Sequence, residues 1–425
     1  MKKCVVVSVL LVAANLSFGA NSYWSSDALG SAVFTLPQNW SPTYTTSSDT
    51  LRVGGPTNTY PYSTNLAKLT TVWGAVGSTV NDQLLVGTSL YQGNFELDCG
   101  SSTTVYFKNV IVGDTKFDAA QGDGVMTITS GKLSRGLIAN DTGYMTVGRN
   151  NSTGNNPYYG VAYLYINGGE VNMDRLTVGE KRADADLAGV GHVVLQNNGV
   201  IDLPCEKTFA PPAFPYVGFK LNNGDFTWID NGNSTFKTGF LWVNTGTLIF
   251  QSTDNSFGTD GKGIAVNSGM PAGPGTAVFT KNALVDLTRL ADTTNWVTLI
   301  TAAGGITFTD WTLTNAGPAT ALLTPASIAE GWGYRLLDLD GEVGNATALQ
   351  VRIQPILTCS ANNGVLTVSW SPLYLGWTLQ AQTNSPSTSL TTTWAGTDIP
   401  GTDLVTSTNI SISLDNSAVF FRLRQ

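Results

Sequence analysis

Charge, histidine and cysteine are all scarce in this chain. Only 12% of its 425 residues are Asp, Glu, Lys or Arg, and there is one histidine. That single residue, His192, rules out the usual histidine-based triads and metal sites built on several imidazoles. Its four cysteines include Cys4, which precedes the first apolar run; Cys99, Cys205 and Cys359 lie far apart with no CxxC spacing. An odd, scattered set excludes a disulfide framework and a zinc site. A Cys99–Cys205 bond and a buried free thiol both stay open. After residue 20 no stretch keeps a helical period, and none is long and apolar enough to span a membrane. The net charge of −8 makes nucleic acid and anionic membranes poor partners.

What is present in quantity is glycine, with 46 residues, among Thr, Asn and Ser. One frame comes back: apolar-x-apolar-x-x-Gly-x-apolar. It reads Met126-Thr-Ile128-Thr-Ser-Gly131-Lys-Leu133, then Leu164 to Val171 around Gly169, Phe219 to Phe226 around Gly224, and Leu241 to Leu248 around Gly246. A fifth copy, Val193 to Ile201, carries one extra residue before Gly199. Alternation ahead of the glycine is the period of a strand with one buried face. The glycine permits a positive φ, and so a corner into the next strand. A second element, apolar-Val-Gly or its near equivalent, recurs at Gly87, Gly113, Gly148, Gly179 and Gly218 and alternates with the first. Strand-and-corner units at this spacing predict stacked coils, a right-handed parallel β-helix.

Residues 1–20 read as a signal peptide: Lys2 and Lys3, an apolar run from Val5 to Ala14, then small residues at Ser17, Gly19 and Ala20. Removing it makes the mature chain more acidic by two charges. Residues 21–60, with Trp24 and Trp40, are expected to cap the open end of the stack, with an aromatic sugar platform as the other reading. Residues 61–355 hold the β-helix and its C-terminal cap coils. Residues 356–425 follow Pro355 with short alternating strands and an early Trp370, which predicts a small C-terminal β-sandwich of the fibronectin type III kind.

Candidate chemistry is sparse. Glu180-Lys181-Arg182-Ala-Asp184-Ala-Asp186 is the densest charge cluster, and Asp184 and Asp186 share a face if extended. Carboxylates with Lys181 and Arg182 are what a polysaccharide-cleaving site on such a scaffold needs; a solvated loop is the plainer reading. Tyr158, Tyr159, Tyr163 and Tyr165 offer rings for stacking on sugars, or simply for packing. Asp230-Asn-Gly-Asn233 and the stretch from Asp254 to Asp260 are rich in oxygen ligands but lack the spaced frame of a calcium loop. No metal and no cofactor are expected.

Two sets of residues carry a resemblance. Trp24, Asn39-Trp40 and Asp49, followed by the Val-Gly, Ser-Gly-Lys-Leu and Gly-Gly-Glu-Val repeats, resemble secreted autotransporter-associated β-strand-repeat, passenger-like β-helix proteins of environmental Gram-negative bacteria. The ending is similar to a short module on exported proteins of such bacteria. Here it stands as Gly376-Trp377-Thr-Leu379-Gln380, Thr383-Asn384-Ser385, Trp394, Pro400-Gly401 and Phe420-Phe421-Arg422-Leu423. The resemblance implies export to the cell surface or medium after cleavage of the leader. It departs from autotransporters proper, because residues 356–425 are too few for a membrane β-barrel. The expected function is a non-catalytic surface or matrix protein in adhesion or contact with polysaccharide or cell-surface glycan. The alternatives are a polysaccharide lyase or hydrolase using the 180–186 cluster, and a pure spacer. Residues 356–425 are expected to act either as a sorting or attachment tag or as a second cap.

Overall fold

The computed structural model describes residues 21–24, 32–33, 40–41, 50–53, 67–69, 81–88, 93–115, 122–135, 143–151, 160–181, 188–204, 218–254, 257, 262–267, 274–280, 282–309, 322–337, 346–384, 398–411 and 418–424. Among the described residues the regular structure is nearly all β, and the chain divides into two compact units at Val193 and Val194.

In the first unit, from Thr50 onward, the strands pair in parallel with strands of earlier and later repeats, in three rows. The first row runs through Thr50–Val53, Asn81–Thr88, the later half of Thr104–Thr115, Tyr144–Asn150 and Arg175–Lys181. Its register aligns Val53, Val86, Val112, Val147 and Val178, all fully buried. The second row holds Gly93–Asp98, Gly124–Ser130 and Val161–Asn167, aligning Phe95, Met126 and Leu164. The third is short: the start of Thr104–Thr115, then Lys132–Ser134 and Glu170–Asn172, aligning Val105, Leu133 and Val171. Alternation explains the burial, since every second side chain of an extended strand faces the same way. Each fully buried Val, Leu or Ile contributes about 1.5–3 kcal/mol. At the N-terminal side Asn21–Trp24 lies parallel to Thr50–Val53 but antiparallel to Trp40–Ser41, with Trp24 opposite Trp40.

The Val-Gly element has a steric cause. Gly87, Gly113, Gly148 and Gly179 sit in the first row with φ between 70° and 72°. A Cβ on Gly148 would lie 2.2 Å from the Val190 carbonyl oxygen, and one on Gly87 would lie 1.9 Å from that of Asp123. The backbone of the next row crosses too closely for any side chain.

The corner frame behaves less uniformly than its spacing predicts. Gly131 turns the chain at φ 85° between Gly124–Ser130 and Lys132–Ser134, as expected. In the next copy it is Gly168, at φ 105°, that takes the positive φ rather than Gly169. Gly169 is required because a Cβ there would meet Ile128 Cγ2 at 2.3 Å. In the fifth copy Asn197 and Asn198 turn the corner at φ 51° and 67°, in place of Gly199. Asn is the side chain that best tolerates this region.

The second unit repeats the parallel scheme with its own rows. Ile201, Phe236, Ile264 and Ile300 align in one, Leu221, Val243, Phe279 and Phe308 in another, and Phe226, Leu248 and Val285 in the third. Phe219, Phe226 and Phe236 meet edge to face with centroids 5.1–5.4 Å apart. Here the frame glycines Gly224 and Gly246 precede long strands, Gly224–Asp230 and Thr247–Ser252, whereas Gly131 and Gly169 precede short ones. The same sequence frame therefore serves two kinds of corner. A five-residue helix, Pro325–Ala329, is capped by Thr324, whose side chain accepts from the Ser327 N–H, with Pro325 at its first position. Trp332–Leu337 and Ala348–Ile353 then pair antiparallel, the latter also with Val297–Ala302.

Residues 358–424 pair differently again. Thr358–Asn362, Val365–Ser369 and Ser407–Ser411 form one antiparallel sheet, and Thr378–Asn384 pairs antiparallel with Ala418–Arg424. Asn363-Gly364, both at positive φ, makes the hairpin turn between the first two strands. Val368, Trp370, Tyr374, Trp377, Leu379 and Leu423 are buried. Two contacts tie this region to the strand before it: the Tyr374 hydroxyl donates to the Ile353 carbonyl, and Arg352 lies between the rings of Trp296, 4.4 Å away, and Trp377, 5.7 Å away.

Candidate functional site

Alternation on Val161–Asn167 buries Ala162, Leu164 and Ile166 and turns Tyr163 and Tyr165 outward. Their rings lie 6.3 Å apart and within 5° of parallel. Tyr163 also stacks on His192, at 4.8 Å and 18°. Of the large apolar side chains described in the first unit, Tyr163 is the exposed one, at 36%. The strip continues across the second row, because Tyr163 aligns with Val125 and Asn94, and Tyr165 with Thr127 and Glu96. Thr129 donates to the Glu96 carboxylate at 3.1 Å. Flat rings beside hydroxyl, amide and carboxylate groups suit a sugar, whose C–H face stacks while its hydroxyls hydrogen-bond. The spacing of Tyr163 and Tyr165 was legible in the sequence. No local pattern in the sequence links His192 to a strand one repeat earlier.

A second constellation follows the Val-Gly element in the first row. Asp114, Arg149 and Glu180 align in register. Arg149 donates to both carboxylate oxygens of the buried Asp114, Nε at 2.9 Å and Nη2 at 2.7 Å. Arg175 bonds Glu180 at 3.4 Å and lies 4.9 Å above the Tyr144 ring; Thr146 donates to Glu180 at 3.1 Å. Burial alone would lower the pKa of Arg149, but the hydrogen bonds and charge of Asp114, with Glu180 and Tyr144, outweigh it and hold the guanidinium above its ordinary value. Fully engaged bidentate pairs of this kind fix strands together rather than move protons. Sequence reasoning passed over this ladder, although Gly113-Asp, Gly148-Arg and Gly179-Glu alternate in sign.

Of the 180–186 cluster, Glu180 belongs to that ladder and Lys181 is exposed at the end of its strand, opposite Asn150. Arg182, Asp184 and Asp186 lie outside the described residues, as do Tyr158, Tyr159, Cys205 and the leader. Cys99 is a free buried thiol. Burial pushes its pKa up, a backbone hydrogen bond opposes this, and Asp98 adds to the rise.

The oxygen-rich turn at Asp230 has local partners; of the stretch from Asp254 to Asp260, residues 255, 256 and 258–260 lie outside the described residues. Asp230 is buried and pairs with Lys262 at 2.9 Å. Asn231 accepts from the Asn197 N–H, and Asn198 accepts from the Asn233 N–H, both at 2.8 Å. Among the described residues no three His, Cys, Asp or Glu side chains converge as a metal-ligand set. No helix among them is long and apolar enough to cross a membrane. No family model matches the chain, and neither a curated protein nor a solved structure matches it.

Proposed function

We propose that this chain is an exported, non-catalytic surface or matrix protein, a right-handed parallel β-helix ending in a small β-sandwich, that contacts glycans through an aromatic strip. The observation that carries the reading is the stack of Tyr165, Tyr163 and His192 on the outward face of its strands, with Tyr163 exposed and the other two half-buried. In-register parallel pairing at every repeat supports the solenoid, and the leader pattern of residues 1–20 supports export. In the charged ladder Asp114 is held by a bidentate pair with Arg149, and Glu180 is engaged by Arg175 and Thr146, which supports contact over cleavage.

The test is a glycan array probed with the purified mature chain and with Tyr163→Ala, alongside a reducing-end assay on the glycans that bind. Binding that falls at least tenfold in Tyr163→Ala, with no release of reducing ends, is the expected result. Turnover that disappears in Asp184→Ala would replace this reading with the polysaccharide-cleaving one. A chain that binds no glycan and cuts none would be a spacer.

A further inference from the structure

We infer that the strand Thr358–Asn362 is a docking edge for the same strand of a second copy of this chain. It is the outer strand of its three-stranded sheet, paired on one side with Val365–Ser369, and all five of its residues are exposed. The ladder decides which of its backbone groups are already used. The two-residue turn at Asn363-Gly364 makes Asn362 and Val365 a hydrogen-bonded pair, and such pairs alternate along an antiparallel ladder. Thr358, Ser360 and Asn362 therefore bond inward, to Ser369, Thr367 and Val365. The third strand agrees. The Trp370 N–H donates to the Thr406 carbonyl, so even-numbered residues of the middle strand bond towards Ser407–Ser411 and odd-numbered ones towards Thr358–Asn362. The N–H and C=O groups of Cys359 and Ala361 are left aimed at the open edge.

Edge strands are ordinarily protected by charge, proline or a bulge. This one reads Thr-Cys-Ser-Ala-Asn, and its register with Val365–Ser369 is continuous, so it carries none of the three. The lack of charge extends over residues 353–397, which contain no Asp, Glu, Lys or Arg. That selects the occupant. The chain has a net charge of −8, so two copies repel across most of their surfaces, and this neutral stretch is where they meet without repulsion. It offers no charge to hold an acidic or a basic peptide.

The side chains also suit a copy of themselves. Antiparallel pairing about a twofold axis at Ser360 sets Thr358 against Asn362, Cys359 against Ala361, and Ser360 against its own copy. This register overlaps the whole strand, and each Cys359–Ala361 pair exchanges both of its outward backbone hydrogen bonds. One face of the joined sheet continues an apolar row. Cys359 and Ala361 stand opposite Val368 and Leu366, which stand opposite Thr408 and Ile410. Val368 is fully buried, whereas Leu366 and Ile410 are half-buried. A second strand carries that row across the edge.

The test is sedimentation velocity of the purified mature chain over a concentration series, without glycan, so it does not rest on the aromatic strip. A monomer–dimer equilibrium is expected. Ala361→Pro removes an outward N–H that the monomer does not use, and should weaken the dimer at least tenfold. Ser360→Asp sets two carboxylates face to face on the axis and should do the same. Asn409→Pro, on the opposite edge of the sheet, should leave the dimer unchanged. Circular dichroism checks that the variants fold, and Ser360→Asp decides the matter if Ala361→Pro does not. A disulfide reports the register. Across the axis the Ser360 Cα atoms stand about 4.5 Å apart, within bridging range, whereas the two Cys359 Cα atoms stand about 8 Å apart, beyond it. With oxidised glutathione as the oxidant, a chain carrying Cys359→Ser and Ser360→Cys should form a covalent dimer, and Cys359 of the native chain should not. The inference is overturned if the chain stays monomeric throughout, or if the dimer ignores both Ala361→Pro and Ser360→Asp. It is equally overturned if Asn409→Pro abolishes the dimer in a folded chain, or if native Cys359 links two copies while the Ser360→Cys variant does not.

Discussion

The parallel strands of the second unit and the antiparallel sheets that follow them handle apolar surface differently. Among the described residues between Val200 and Thr309 most inward residues are closed off: Leu241, Val243, Leu248, Phe250, Ile264 and Phe279 have no exposed surface. After Thr358 large apolar side chains lie open, with Leu375 at 59% and Leu404 at 78%. Among the described residues, every exposed large hydrophobic side chain except Tyr163 falls between Ile356 and Phe420. A strand inside a stack has a like neighbour on either side, so its inner face is always covered. A small pair of sheets has too little volume to cover its own apolar residues, and what remains outside is surface available to something else.

The same contrast separates two ways of holding charge and two kinds of glycine, and each can be broken by experiment. The largest effect is expected at the ladder in the first unit. Arg149→Ala strands the carboxylate of Asp114, whose side chain is 3% exposed, and should cost about 3–5 kcal/mol in urea unfolding. A loss under 1 kcal/mol would mean that the pair contributes nothing net. Gly148→Ala comes next. At φ 72° and 2.2 Å from a carbonyl oxygen, the new methyl forces backbone to move, and about 3 kcal/mol should be lost.

At the junction of the two regions, Tyr374→Phe leaves the Ile353 carbonyl without its donor and should cost about 1–3 kcal/mol. Should the parallel strands melt at the same temperature with and without that hydroxyl, the last region is an independent attachment tag; a coupled shift marks it as a cap. The same junction should be alkali-sensitive. Burial pushes the pKa values of Tyr334 and Tyr374 up to about 12, against about 10 in the unfolded chain. The folded state then holds those protons more tightly, so its stability is constant below pH 10 and declines as pH rises towards 12. The decline should be on the order of 2 kcal/mol for each tyrosine, and Tyr374→Phe should remove part of it. The smallest effect is expected from Gly364→Ala. Its φ of 80° is close to that of Gly148, but a Cβ there meets nothing within 4 Å, so only the conformational cost of about 1 kcal/mol remains. If the two alanine variants lost equal stability, crowding would not be what distinguishes stacked corners from open turns.

Much of this was legible in advance. The alternation at Met126 to Ile128 and Leu164 to Ile166 marked buried strand faces, and Val-Gly marked a recurring element whose steric cause lies in the close crossing of strand backbones. The choice of corner residue was less legible, because Gly168 and Gly169, or Asn197, Asn198 and Gly199, are adjacent residues that all allow a turn. The meeting of His192 with Tyr163 and of Arg149 with Asp114 was not visible at all as contact, since each pair is about 30 residues apart in sequence.

By itself the sequence determined which side chains face inward and where a side chain is forbidden, because a strand's period of two and a glycine's φ are local properties. Tertiary structure decided who stands beside whom. The spacing between paired strands varies from 22 residues, Phe219 to Leu241, to 38, Met126 to Leu164. Loops of variable length leave register to be settled by the match of buried faces across repeats, and it is that match which assembles the ion ladder and the aromatic strip.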